Sequence, residues 1–390
     1  MVQVHRIQVF YVEAGGGHRS AATALKEVSE RQNRPWRIDL VNLNHIFRPT
    51  DLMKTLTGYG TEELYNLMLK HGWTAIAPLL LPPMHGLIWA LRGKQVSLLE
   101  QYWSANPADL VVSVIPHFNR TMHIALNRTL PSAAFATILT DFADIPPRVW
   151  FERQPQYVVC GTDRAVAQAR EFGLTPDEIF RVSGMILRPS FYGVPPVDRA
   201  AARRSLGLDP DRATALVLFG GEGSRAMLEI ARRLGESGLD LQLILMYGRN
   251  EHLGGRLREL RLKMPVHVQG FTPDVPRLMQ VSDFLIGKPG PGSISEALAM
   301  KLPVIVDRNV HTMPQERYNA EWLVEKGLGK VVRSWAQIVP AVSELLTPGT
   351  LSQYRARAAA VDNRAVFEIT DLFEEFLRRG PARRTPAATR

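Results

Sequence analysis

Residues 282–320 read SDFLIGKPGPGSISEALAMKLPVIVDRNVHTMPQERYNA, and this order spells one strand–loop–helix–strand unit. Phe284-Leu285-Ile286 is an apolar run that stops at Gly287 and Lys288. A Pro-Gly-Pro-Gly loop follows, residues 293–300 read as a helix, and residues 302–306 return to an apolar, β-branched strand. Such a unit sets the loop and the helix N-terminus at the carboxyl edge of a parallel sheet, where α/β proteins bind ligands. The unpaired N–H groups and partial positive charge there suit a phosphate, which makes Gly290, Gly292 and Ser293 candidates for holding one. Glu296 has two readings that the local sequence leaves open. It completes a capping box with Ser293, or it accepts hydrogen bonds from a ribose diol. After the next strand, Gln315 and Glu316 bring an amide and a carboxylate, a pair able to bind neighbouring sugar hydroxyls.

The same device occurs twice upstream. Residues 215–219 form a strand, then come Gly220-Gly221-Glu222-Gly223-Ser224, then Met227, Ile230 and Leu234 at helical spacing. A glycine loop feeding a helix suits a diphosphate. It is no Walker loop, because no Gly-Lys-Ser/Thr follows. At the N-terminus, residues 7–12 are an apolar strand ending in Glu13-Ala14-Gly15-Gly16-Gly17-His18, with Ala21, Leu25 and Val28 helical beyond. His18 offers an imidazole where glycines give way to helix. Further strands are expected at 109–115, 135–139, 157–160, 182–185, 241–247 and 266–269, with a helix over 121–126 and a capped helix start at Thr175-Pro176-Asp177-Glu178. Strands alternating with helices make an α/β protein of two doubly wound domains.

The 390 residues suffice for two domains of ordinary size, and 45% hydrophobic content is that of a globular chain. A formal charge of +9 asks for an anionic partner. No nucleic-acid motif accompanies it, so an acidic membrane face or a phosphorylated ligand is expected. The single Cys160 excludes an intramolecular disulfide and a cysteine zinc cluster. Asp209-Pro210-Asp211 has the spacing of a metal motif but reads as a turn. No signal peptide is visible, which fits the cytoplasm.

Residues 45–103 stand apart. Between Lys70 and Arg92 there is no charged residue, yet Pro78, Pro82 and Pro83 argue against a membrane-spanning helix. Two shorter helices bearing Trp73 and Trp89 are expected, with Lys70, Arg92 and Lys94 placed to meet anionic headgroups. A helical hairpin that simply covers the sheet is the other reading. Val366, Ile369, Leu372, Phe373, Phe376 and Leu377 form one stripe of a final amphipathic helix, stopped by Gly380 and Pro381; residues 381–390 read as disordered.

The ordered set GGGH (15–18), Thr140-Asp141, RPSF (188–191), GGEG (220–223), Gly270-Phe271, GPGSISEA (290–297) and Gln315-Glu316 resembles the monogalactosyldiacylglycerol synthases and processive diacylglycerol glucosyltransferases. These are relatives of the N-acetylglucosaminyltransferase of peptidoglycan lipid-precursor synthesis. The resemblance implies a GT-B fold whose two domains face across a cleft. It implies an inverting, metal-independent glycosyltransferase using a UDP-sugar as substrate, with no cofactor. Residues 1–192 would bind the acceptor, with 45–103 at the membrane. Residues 203–360 would bind the nucleotide sugar, and 361–380 would return to the first domain.

By the same resemblance His18 activates the acceptor hydroxyl, and Glu13 stands where the galactolipid synthases carry an Asp. Gly16, Gly17, His117 and Asp141 line the acceptor side. Gly220, Gly221, Gly223 and Ser224 hold the diphosphate, Phe271 lies beside the uracil, Glu296 holds the ribose, and Gln315 and Glu316 hold the hexose. The implied partners are a UDP-sugar, a lipid acceptor and an anionic membrane surface, on the inner face of the cell membrane, with no nucleic acid. Diacylglycerol is the expected acceptor. A polyprenyl-diphosphate-linked acceptor, a UDP-sugar epimerase and a non-enzymatic nucleotide-sugar sensor are the rival readings. Glucose and galactose are not distinguished by these residues.

Overall fold

The computed structural model describes residues 4–13, 16–50, 77–146 and 148–382, the side chains of 77–82 excepted. The chain divides into two compact units, Met1–Pro189 with Arg364–Arg390, and Ser190–Asn363.

The first unit is built on a six-stranded, all-parallel sheet in the order β2-β1-β3-β4-β5-β6. Its strands are β1 (His5–Tyr11), β2 (Trp36–Asn42), β3 (Leu110–Ser113), β4 (Ala134–Ile138), β5 (Tyr157–Cys160) and β6 (Ile179–Arg181). A parallel sheet covered by helices on both faces needs apolar residues in succession. Ile7, Val9 and Phe10, and Leu110, Val111 and Val112, accordingly have no exposure. The chain builds β2 on one side of β1, then returns to lay β3 on the other. The carboxyl ends of β1 and β3 therefore flank a topological switch point, the place where such sheets bind ligands.

The closing helix Ala365–Arg379 belongs to this unit. Ile369, Phe373 and Phe376 are buried, each contributing about 1.5–3 kcal/mol of transfer free energy. Phe376 stacks on Tyr157 at 4.4 Å, and the Tyr157 hydroxyl donates to the Gly380 carbonyl.

The second unit repeats the plan with the order β12-β11-β10-β7-β8-β9, again all parallel. Here β7 is Ala213–Leu218, β8 Leu241–Gly248, β9 Val266–Gly270, β10 Phe284–Gly287, β11 Val304–Asp307 and β12 Gly329–Val332. The switch point lies between β7 and β10, and their last residues, Leu218 and Gly287, are paired. A Cβ on Gly287 would sit 2.3 Å from the Leu218 carbonyl oxygen, so glycine alone permits this approach.

Several expectations are corrected. The expected helix bearing Trp89 is present but longer than a short segment, spanning Ala77–Ala105 with Pro82 and Pro83 in its second turn. The bonds lost there are few, and its C-terminal half is anchored by buried Val96, Leu99 and Trp103, whose indole donates to Gln8. Trp73 lies outside the described residues. Residues 182–185 are not a strand; β6 ends at Arg181. Thr175 and Glu178 do form a capping box, but over a single 3₁₀ turn that runs into β6. Between the RPSF motif and β7 the chain forms a helix, Arg199–Ser205, capped by Asp198. Strands β2 and β12 were not anticipated. Asp209 is a turn residue: its carboxylate accepts from the N–H groups of Asp211 and Arg212.

Candidate active site

In the first unit the candidate side chains His18, His117 and Asp141 follow the carboxyl ends of β1, β3 and β4. The helix Gly17–Arg31 starts from Gly16, whose φ of 79° is left-handed and asks for glycine. That turn brings His18 over the sheet edge, half-buried. Its Nδ1 lies 2.7 Å from the Val114 carbonyl oxygen and 3.2 Å from Thr140 Oγ1. A carbonyl only accepts, so Nδ1 carries the proton and Nε2 presents the lone pair. Burial pushes the His18 pKa down to about 4, against a smaller opposing effect of the Val114 bond. The imidazole is therefore neutral at pH 7, the form a base requires.

His117 is close by, with φ at 73° and its N–H donating to the Val149 carbonyl. Its Nδ1 is 2.9 Å from His85 Nε2 on the helix Ala77–Ala105. Burial, with smaller contributions from the neighbouring His85 and His18, lowers its pKa to about 3. Asp141 accepts from the Trp150 indole at 2.9 Å. Trp150 in turn is placed by Asp144, whose carboxylate accepts from the N–H groups of Arg148, Val149 and Trp150. Glu13, by contrast, is solvent-exposed and paired with Arg19 at 2.8 Å.

In the second unit the loops after β7 and β10 start from paired residues. Gly220 and Gly223 take positive φ, and a Cβ on Gly223 would lie 2.8 Å from the Tyr247 carbonyl oxygen. The Arg249 N–H donates to the Gly221 carbonyl at 2.8 Å, so the end of β8 pins the glycine loop. Ser224 Oγ accepts from Ala226 N–H as the next helix begins. Gly248, with φ at 65°, would bring a Cβ to 2.1 Å from the Gly221 oxygen. Gly248→Ala is therefore expected to displace the loop at a cost of about 1–3 kcal/mol. The check is a melting temperature lowered by several degrees, together with weakened nucleotide binding.

The helix Pro291–Ala299 has Gly290 as its N-cap and Pro291 at its first position, where a missing N–H costs nothing. Gly292 and Ser293 then stand inside the first turn, where helical N–H groups have no intrahelical partner. This overturns the capping-box reading of Ser293 and Glu296, since Ser293 is not the cap. Glu296 is half-buried in the second turn. On the helix Pro314–Glu325, buried Glu316 accepts from Lys288 at 2.7 Å and buried Asn319 donates to the Pro289 carbonyl at 2.8 Å. Both ties hold this helix against the Pro-Gly loop, with half-buried Gln315 beside them. Phe271 follows β9 and is 53% exposed, with the Arg249 guanidinium carbon 4.0 Å from its ring centroid.

The sequence reading missed Val114 and Thr140 as partners of His18, Lys288 as partner of Glu316, and Arg249 over Phe271. Thr140 and Lys288 stood inside quoted motifs. A backbone carbonyl such as Val114 leaves no sequence signal.

Comparison with known proteins places this geometry. Residues 214–368 match the glycosyltransferase family 28 C-terminal domain. The chain is 30% identical to the chloroplastic monogalactosyldiacylglycerol synthase of Spinacia oleracea, over 96% of this chain and 73% of the relative. It is 28% identical to monogalactosyldiacylglycerol synthase 1 of Arabidopsis thaliana, over 96% of this chain and 71% of that one. Among solved structures, MurG of Acinetobacter baumannii superposes with a TM-score of 0.62 at 12% identity, covering 95% of this chain and 99% of that one. The UDP co-structure of Staphylococcus aureus MnaA also gives 0.62, at 16% identity, over 96% and 97%. The fold is GT-B. The chain is a glycosyltransferase that belongs to the monogalactosyldiacylglycerol synthase family.

Proposed function

We propose that this enzyme moves a hexose from a UDP-sugar to diacylglycerol, with inversion at the anomeric carbon and without a metal ion. The observation that carries the reading is the pairing of Leu218 with Gly287, which starts two glycine loops side by side at the switch point of the second unit. Helix N-termini and loop amides there suit a diphosphate. In this reading Glu296 holds the ribose, Phe271 lies beside the uracil, and Gln315 and Glu316 hold the hexose.

The acceptor oxygen attacks the anomeric carbon while its proton passes to Nε2 of His18. The bond from that carbon to the phosphate oxygen breaks, its electron pair leaves with UDP, and the loop amides stabilise the added charge. We assign the proton to His18 rather than Glu13. His18 has its tautomer fixed by Val114 and Thr140, whereas Glu13 is at the surface beside Arg19. Gly16, Gly17, His117 and Asp141 belong to the acceptor side.

No helix among the described residues is long and apolar enough to cross a membrane. Trp89, 70% exposed, and Leu87 stand out from the helix Ala77–Ala105, a composition suited to the membrane interface. We propose peripheral attachment to an anionic membrane through this helix.

The test is UDP release from UDP-glucose, UDP-galactose and UDP-N-acetylglucosamine, with and without diacylglycerol in anionic vesicles. Release from one donor that requires diacylglycerol, and that falls in Trp89→Ser through vesicle binding, is the expected result. Release only with a polyprenyl-diphosphate-linked acceptor would overturn the lipid assignment.

A further inference from the structure

Arg249 follows Gly248, the last residue of β8, and its backbone is tied to the glycine loop through the Gly221 carbonyl. Its guanidinium carbon lies 4.0 Å from the centroid of the Phe271 ring, within cation–π range, and that ring is itself exposed. Nη1 is 3.2 Å from where a Cβ on Gly221 would stand, so the fork reaches back over the loop. Among the described residues this guanidinium pairs with no carboxylate. Lys288, the cation of the neighbouring loop, is already matched by Glu316. The second unit thus has a glycine loop pinned by the end of β8 and, beside it on an aromatic platform, a guanidinium that no carboxylate among the described residues neutralises. A guanidinium fork fits phosphate oxygens in pairs, and stacking limits the freedom it must lose on binding.

We propose that Arg249 is the cation that grips the diphosphate of the sugar donor and takes up the charge arriving there as the glycosidic bond breaks, with Phe271 as its platform. The inference rests on the reading that residues 220–224 hold the diphosphate. Arg249 acts on the leaving group, and its charge gains importance as the bond electron pair settles on the β-phosphate oxygen. Removal therefore lowers kcat as well as raising the donor KM.

Calorimetric titration with UDP, UMP and uridine at fixed ionic strength separates phosphate from base. Arg249→Ala is expected to weaken UDP by about 10- to 100-fold, as loss of a charge-assisted contact does. UMP should weaken less and uridine should be unchanged. Arg249→Lys should recover part of the UDP affinity. The exposed position of Arg249 and the retention of its backbone bond in every variant keep folding intact. Equal losses for uridine and UDP would overturn the inference in favour of stacking on the base. Unchanged UDP affinity beside a wild type that binds UDP would overturn it alone, whereas a wild type that binds no UDP overturns the donor reading as well.

Discussion

His18→Ala is expected to reduce kcat/KM by about two to four orders of magnitude, the range general-base catalysis contributes. The protein should remain folded, because the change removes one half-buried ring and one hydrogen bond to a carbonyl, worth about 1 kcal/mol. His18→Gln separates the two roles. It offers an amide donor toward Val114 but no base, so it should be nearly as inactive as the alanine variant. The pH profile is a second signature. A base works unprotonated, and burial lowers this pKa to about 4, so the acid limb of kcat/KM should fall near pH 4 and not near 6.5. The stability consequence has the same sign. The folded ring binds protons less readily than the unfolded one, so its contribution is full above about pH 6.5 and is lost as pH falls through about 4. A limb near 6.5 that persists in His18→Gln would assign the titration to another group.

The second large effect is expected at Glu316. Its carboxylate is buried, accepts from Lys288, and lies 3.6 Å from where a Cβ on Gly290 would stand. Glu316→Ala breaks the pairing with the Lys288 ammonium and removes the proposed acceptor for a sugar hydroxyl. A charged hydrogen bond is worth about 1.5–3 kcal/mol, so kcat/KM for the sugar donor should fall roughly a hundredfold. The loss should be far smaller for UDP than for UDP-hexose, since the proposed contact is with the sugar. Comparing the two ligands by calorimetry checks this. Equal losses for both would mean that Glu316 only braces the Pro-Gly loop.

The legibility of this chain follows from where each strand sits. Interior strands such as β1, β7 and β10 are buried on both faces, so they appear as unbroken apolar runs. The edge strand β2 carries Arg37 and Asp39 among its apolar residues, and β12 is four residues beginning with glycine, so neither offered such a run. The full extent of the helix Ala77–Ala105 was not legible because its prolines weigh against it locally. The burial of Val96, Leu99 and Trp103 that sustains the helix comes from tertiary packing. Likewise Ser293 matched a capping pattern, but Pro291 at the first helical position moved the start upstream.

Of the site, glycine loops and their adjoining side chains were readable because backbone geometry dictates residue type there. Gly220, Gly223 and Gly248 take φ values that favour glycine, and Gly287 leaves no room for a Cβ. Contacts set by sheet order were not readable. Val114 reaches His18 because β3 lies beside β1, across 96 residues of chain. Arg249 meets Phe271 because β8 and β9 are neighbours.

The most direct test of the central claim is the product itself. UDP-hexose, α-linked at its anomeric carbon, is incubated with the enzyme and diacylglycerol vesicles, and the lipid product is examined by nuclear magnetic resonance. The account predicts a glycosyldiacylglycerol with a β linkage, formed in the presence of a chelator and absent with His18→Ala. An α-linked product, or transfer that stops when divalent cations are removed, would contradict it.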